Sequence, residues 1–124
     1  MTDKKMHKPG SNRQERYIQA SILLGLNAAP SYGYELISTI QSYGFIEGDA
    51  PPGMVYRHLR QMEEDNFVQS QWETKQAGAA KRIYTITDEG KKILLVWIKF
   101  MENKAKKLNH FVQLYQNTTS KTPE

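Results

Sequence analysis

Thr74-Lys75-Gln76-Ala77-Gly78-Ala79-Ala80-Lys81-Arg82-Ile83-Tyr84 is a small, basic, glycine-centred turn that runs into a segment alternating like a β-strand. The stretch before it, Phe67 to Glu73, alternates in the same way and carries aromatic and branched residues at Phe67, Val68 and Trp72. Two such runs around a turn of this composition predict an antiparallel hairpin, 67–73 with 82–86. Its tip sets Lys75, Lys81 and Arg82 among Gly78 and three alanines, and slim side chains of this kind enter a groove only about 6 Å wide.

Working outward, the chain before the hairpin reads as three helices. Tyr17, Ile18, Ser21, Ile22, Leu24, Gly25 and Leu26 recur at helical spacing from Arg13 until Asn27-Ala28-Ala29-Pro30 ends the run. Ser31 is placed to cap a second helix over Tyr32–Tyr43, with Tyr32, Leu36, Ile37 and Ile40 as its buried stripe and Gly44 at its end. Pro51 and Pro52 suit the first turn of a third helix, because proline has no amide proton to leave unpaired there, and Asp49 is placed to help cap it. That helix runs to about Asp65, where Asn66 tolerates the left-handed conformation of a helix terminator. After the hairpin, Thr87 caps a last helix with Asp88 and Glu89 at its positive end, continuing to about Tyr115.

The order helix, helix, helix, hairpin, long helix is that of a mainly α (α+β) winged helix-turn-helix domain with a two-stranded wing and a long C-terminal dimerisation helix. Boundaries follow: a flexible basic arm over 1–13, the winged domain over 14–87, the dimerisation helix over 88–116 and a disordered tail over 117–124. A chain of 124 residues with 39% hydrophobic content buries one core. Its net charge of +4 suits a polyanionic partner. The absence of cysteine excludes disulfide scaffolding, thiolate catalysis and Cys-ligated metal sites. No signal peptide or bilayer-length apolar stretch occurs, so a soluble, cytoplasmic protein with no membrane partner is expected. There is no Gly-x-Ser-x-Gly elbow, phosphate loop or His-Glu-x-x-His pair, and His7, His58 and His110 are too dispersed to hold a metal. The expectation is therefore a protein that is not an enzyme and needs no cofactor.

The third helix divides into two faces. Val55, Leu59 and Met62, at i, i+4 and i+7, form an inward stripe, while Gly53, Tyr56, Arg57 and Arg60 share a separate face at i, i+3, i+4 and i+7. Arginine bonds guanine O6 and N7 bidentately, tyrosine and the free amides of the helix start hold phosphate, and Gly53 lets the backbone approach closely. His58 flanks this basic face. Double-stranded DNA is the expected partner, with Arg57 reading a base and Lys81 or Arg82 holding backbone or minor groove. Glu63, Glu64 and Asp65 oppose phosphate at the far end of the helix, so insertion by its N-terminal end is expected.

In the last helix Ile93, Trp97, Phe100, Leu108, Phe111 and Tyr115 fall along one line, with Leu94, Met101, Val112 and Leu114 beside it and Lys104 interrupting it. A small domain covers only the start of such a stripe, and a homodimer is the simplest cover for the rest. Trp97 is either a packing residue of that dimer or the flat face on which a small planar apolar effector stacks.

With these residues in view, the chain resembles the PadR family of bacterial and archaeal transcriptional regulators over about residues 17–115. The segments that carry the likeness are Leu23-Leu24-Gly25-Leu26, Tyr32-Gly33-Tyr34-Glu35-Leu36, Pro52-Gly53-Met54-Val55-Tyr56-Arg57-His58-Leu59 with Met62-Glu63, Trp72 to Tyr84, and Tyr84-Thr85-Ile86-Thr87-Asp88-Glu89-Gly90. The resemblance implies a homodimer joined by the C-terminal helix, usually a repressor, that binds a pseudo-palindromic operator and is relieved by a small molecule. It also places Tyr34, Tyr56 and the residues around Gly53, Met54 among them, at the DNA, and the 75–82 turn at the wing. Asn66 stands where relatives usually carry glycine, and the single C-terminal helix matches the shorter subgroup. A winged-helix adaptor that binds protein through the same surfaces, without direct DNA readout, is the alternative.

Overall fold

The computed structural model describes residues 9–46, 50–73 and 80–121. Among them are four helices, α1 (Pro9–Ala28), α2 (Gly33–Tyr43), α3 (Pro52–Glu64) and α4 (Asp88–Lys121), and three strands, β1 (Ser31–Tyr32), β2 (Val68–Glu73) and β3 (Lys81–Ile86). The sheet is antiparallel with order β1-β3-β2. This is the mainly α winged arrangement read from the sequence.

Each helix ends where its chemistry allows. Gly44 takes the left-handed conformation (φ 70°) at the end of α2 and its N–H bonds the Gln41 carbonyl at 3.2 Å. Asn66 does the same after α3, with φ 67°. Thr87 joins the hairpin to α4, its hydroxyl donating to the Asn66 carbonyl (2.7 Å) and accepting from the Gly90 N–H (2.9 Å). A few residues on, Gly90 is so close to the hairpin that a Cβ there would lie 2.1 Å from the Phe67 carbonyl oxygen.

The core lies where α1 packs on α2, α3 and β3. Ile18, Ile22 and Leu23 of α1, Leu36 and Ile40 of α2, Val55, Leu59 and Met62 of α3, and Val68 of β2 are fully buried. Each contributes about 1.5–3 kcal/mol on leaving water. Because α3 commits Val55, Leu59 and Met62 inward, its rotation is fixed and the opposite face must point out.

Several boundaries differ from the sequence reading. α1 starts at Pro9, not Arg13, since a proline at a first helical position gives up no hydrogen bond. Its buried set includes Leu23 and leaves Leu24 42% exposed, because packing on three elements covers more than one stripe. Ser31 and Tyr32 do not begin α2 but form a third strand, pairing with Tyr84 and Ile83 along the free edge of β3. Extended at φ −79° and ψ 154°, Tyr32 is the N-cap. The carboxylate of Glu35 satisfies this helix start by accepting from the Tyr32 N–H (3.2 Å) and the Ser31 hydroxyl (3.3 Å). The N-cap of α3 is Pro51, whose carbonyl accepts from Met54 and Val55, and the expected cap Asp49 lies outside the described residues. α4 continues past Tyr115 to Lys121, the hydroxyls of Thr118 and Thr119 donating to the carbonyls of Leu114 and Tyr115.

Candidate nucleic-acid interface

The face of α3 opposite its core stripe is the one the sequence marked. Gly53, Tyr56, Arg57 and Arg60 are exposed there, with Met54 half-buried at its edge. His58 does not join them. It is half-buried on the α1 side, its Nδ1 3.2 Å from Gln19 Nε2, so the structure removes it from the exposed face. Its i+4 neighbour Met62 is fully buried, which turns that side of the helix toward the core.

Beside α3 stands the root of the wing. In the hairpin register Trp72 faces Arg82 and Glu73 faces Lys81. The guanidinium of Arg82 sits 5.1 Å over the Trp72 ring, and Trp72 itself is 61% exposed. The junction of β1 and α2 brings an aromatic pair to the same place: Tyr32 and Tyr34 stack with centroids 5.6 Å apart and planes 2° from parallel. The ammonium of Lys81 lies 5.4 Å and 5.7 Å from these two centroids. Cation–π contacts of this kind hold a lysine and an arginine in place without neutralising them. The Tyr32 hydroxyl donates to the Glu73 carboxylate, tying β1 to the end of β2 across β3. That hydrogen bond, followed by burial, raises the Tyr32 pKa above its ordinary value. Burial likewise raises that of Tyr84, while Arg82 opposes the shift.

Together these side chains wall a cleft of about 530 Å³ between α3 and the sheet. It carries Arg60, Lys81 and Arg82 against one carboxylate, Glu63, and its aromatic walls include Tyr34, Tyr56 and Trp72. Glu63 accepts from the Ser70 hydroxyl at 2.9 Å, which holds it at the hairpin rather than on the exposed face of α3. The combination of fixed cations, phenol hydroxyls and flat rings suits phosphate oxygens and base or sugar surfaces. Among the described residues no group of three or more metal-ligating side chains is placed to hold an ion, and no helix is long and apolar enough to cross a membrane.

Of the residues that wall the cleft, the sequence reading names Tyr34, Tyr56, Arg60, Lys81 and Arg82 as candidates but not Tyr32 or Trp72. The signal for Trp72 was available, since counting back from the turn sets it opposite Arg82. None existed for the Tyr32–Glu73 bond, which depends on a two-residue strand. Lys75 and Gly78 lie outside the described residues.

The chain divides after Leu94, and α4 from Leu95 onward forms a unit of its own. Ile93, Trp97 and Met101 are half-buried, while Phe100, Leu108, Phe111 and Tyr115 are exposed. Trp97 and Phe100 meet edge to face at 6.0 Å. Lys104, the interruption in the apolar line, places its ammonium 5.5 Å over the Phe100 ring.

Comparison with known proteins gives a consistent picture. No curated protein gave a significant match. Among solved structures, a PadR family transcription regulator from hypervirulent Clostridium difficile is 27% identical, with a TM-score of 0.69 covering 77% of this chain and 98% of that one. A PadR-like transcriptional regulator from Bacillus cereus is 22% identical, with a TM-score of 0.71 over 83% of this chain and 98% of that one. The Bacillus subtilis PadR, solved in complex with operator DNA, is 23% identical, with a TM-score of 0.60 over 66% of this chain and 46% of that one. The last two likenesses bear on the fold alone. Residues 22–95 match the transcriptional regulator PadR-like family, and on that match, over more than half its length, the chain belongs to that family.

Proposed function

We propose that this regulator binds double-stranded DNA in the cytoplasm as a homodimer, α3 entering the major groove and the wing lying on backbone or minor groove. The observation that carries the reading is one cleft walled by Tyr56, Arg60, Lys81 and Arg82, all cationic or hydrogen-bonding, with Arg57 exposed on α3 beside Tyr56. Cations at a helix and a wing match two neighbouring grooves better than they match an apolar protein surface. That the Bacillus subtilis PadR was solved with operator DNA supports the same use of the fold. The exposed line Leu108, Phe111 and Tyr115 supports pairing through α4, which joins two reading helices and calls for a pseudo-palindromic operator. Repression relieved by a small planar apolar effector stacked on Trp97 completes the proposal, Trp97 being a half-buried ring beside Phe100. Selection from a pool of randomised duplexes tests it. Enrichment of an inverted repeat whose halves are about one helical turn or a multiple apart is expected, whereas a pool left random after several rounds contradicts specific readout.

A further inference from the structure

Gly33 has no backbone reason to be glycine. It opens α2, and Gly44 is the only glycine with positive φ among the described residues, so any L-residue fits the Gly33 backbone. A first-turn alanine would suit the helix better. What excludes a side chain is Tyr56: a Cβ built on Gly33 meets Tyr56 Cε1 at 2.4 Å and its Cζ and Oη at 3.0 Å. The edge of the Tyr56 ring therefore rests on bare backbone. On either side in sequence stand Tyr32 and Tyr34, whose stacked rings border the same cleft as Tyr56. Nothing comparable explains Gly53, where an added Cβ meets no atom within 4 Å.

From this geometry we infer that Gly33 is a positioning residue for DNA binding, a seat that holds the Tyr56 phenol at the mouth of the cleft. Tyr56 is 38% exposed, so one edge, its hydroxyl included, rests against Gly33 while the rest of the ring stays open to DNA. A ring held before DNA arrives loses little freedom on binding, which strengthens the contact it makes. Because Tyr56 is half-exposed and outside the core stripe, it can swing off its seat without disturbing Val55, Leu59 or Met62. The inference rests on the DNA-binding reading above and adds to it a residue that touches no DNA.

The test is a double-mutant cycle on the full chain, measuring affinity for a duplex that the wild type has selected from a random pool, with thermal melting in parallel. Gly33→Ala is expected to weaken binding about tenfold, the weight of one hydrogen bond to a charged oxygen, with the melting temperature unchanged or higher. Tyr56→Ala is expected to weaken it to a similar degree, and adding Gly33→Ala to Tyr56→Ala should change nothing further, since the ring is gone. That non-additivity separates seating from a general structural effect. If Tyr56→Ala weakens binding while Gly33→Ala binds as wild type, the seat is overturned and the DNA reading stands. Wild-type affinity in Tyr56→Ala overturns both the seat and the placement of Tyr56 at the DNA. Loss of cooperative melting in Gly33→Ala makes the glycine structural and also overturns it, as does a full additional loss in the double variant.

Discussion

On the proposed function, Arg57 and Lys81 fall on opposite sides of the division between reading sequence and holding backbone. Arg57 projects from the exposed face of α3, whereas Lys81 is stacked on tyrosines at the wing root. Arg57→Ala is expected to cost about 1–3 kcal/mol on the selected operator and to relax preference at one base pair. Lys81→Ala should weaken operator and random duplex alike and make the salt dependence shallower by about one ion. Titrations of both variants on both duplexes distinguish these outcomes. The tyrosines supply a different test. Tyr32, held by Glu73, and Tyr84, held by burial, both have raised pKa values, so each favours the folded state while protonated. Stability should therefore be intact below the ordinary tyrosine value of about 10 and fall as pH rises through the raised values. Melting of wild type beside Tyr84→Phe checks this, the variant losing less than the wild type above about pH 10.

Elements differed in how plainly the sequence announced them. α3 was legible in its extent and core stripe, because its proline start, its left-handed Asn66 and its i, i+4, i+7 spacing are all local signals. The hairpin was legible from alternation and its turn, and the join to α4 from Thr87. β1 was not, since two residues carry no periodicity and Ser31–Tyr32 become a strand only because β3 offers an edge. For the same reason the Tyr32–Glu73 tie and the seat of Tyr56 on Gly33 stayed hidden: both are contacts between elements distant in sequence. His58, read as flanking the basic face, is half-buried and in contact with Gln19, since one step along a helix from Arg57 turns a side chain through about 100°. The join between hairpin and α4 yields a stability prediction. Gly90→Ala drives a methyl into the Phe67 carbonyl and should cost more than about 2 kcal/mol in thermal unfolding. Thr87→Ala, which removes a cap, should cost about 1 kcal/mol.

At the scale of the whole molecule, two copies have to be joined for a pseudo-palindrome to be read. The apolar line of α4, with Leu108 63%, Phe111 72% and Tyr115 66% exposed in the single chain, is the surface that pairing would cover. Truncation before Leu108 should yield a monomer by sedimentation that binds one half-site weakly, having lost the linked contacts of the second; a truncated chain that still sediments as a dimer places the interface elsewhere. The central claim is that this fold presents its fixed cations to DNA phosphates, and the salt dependence of binding to the selected duplex tests it most directly. At roughly −0.9 per phosphate neutralised, the three cations Arg60, Lys81 and Arg82 of one copy, Arg57 being given to a base, correspond to a slope of log affinity against log salt of about −2.7, and about twice that for a pair. A slope in that range, with tighter binding to the selected than to the random duplex, is the predicted result, and a slope shallower than about −1 with equal affinity for both duplexes would contradict it.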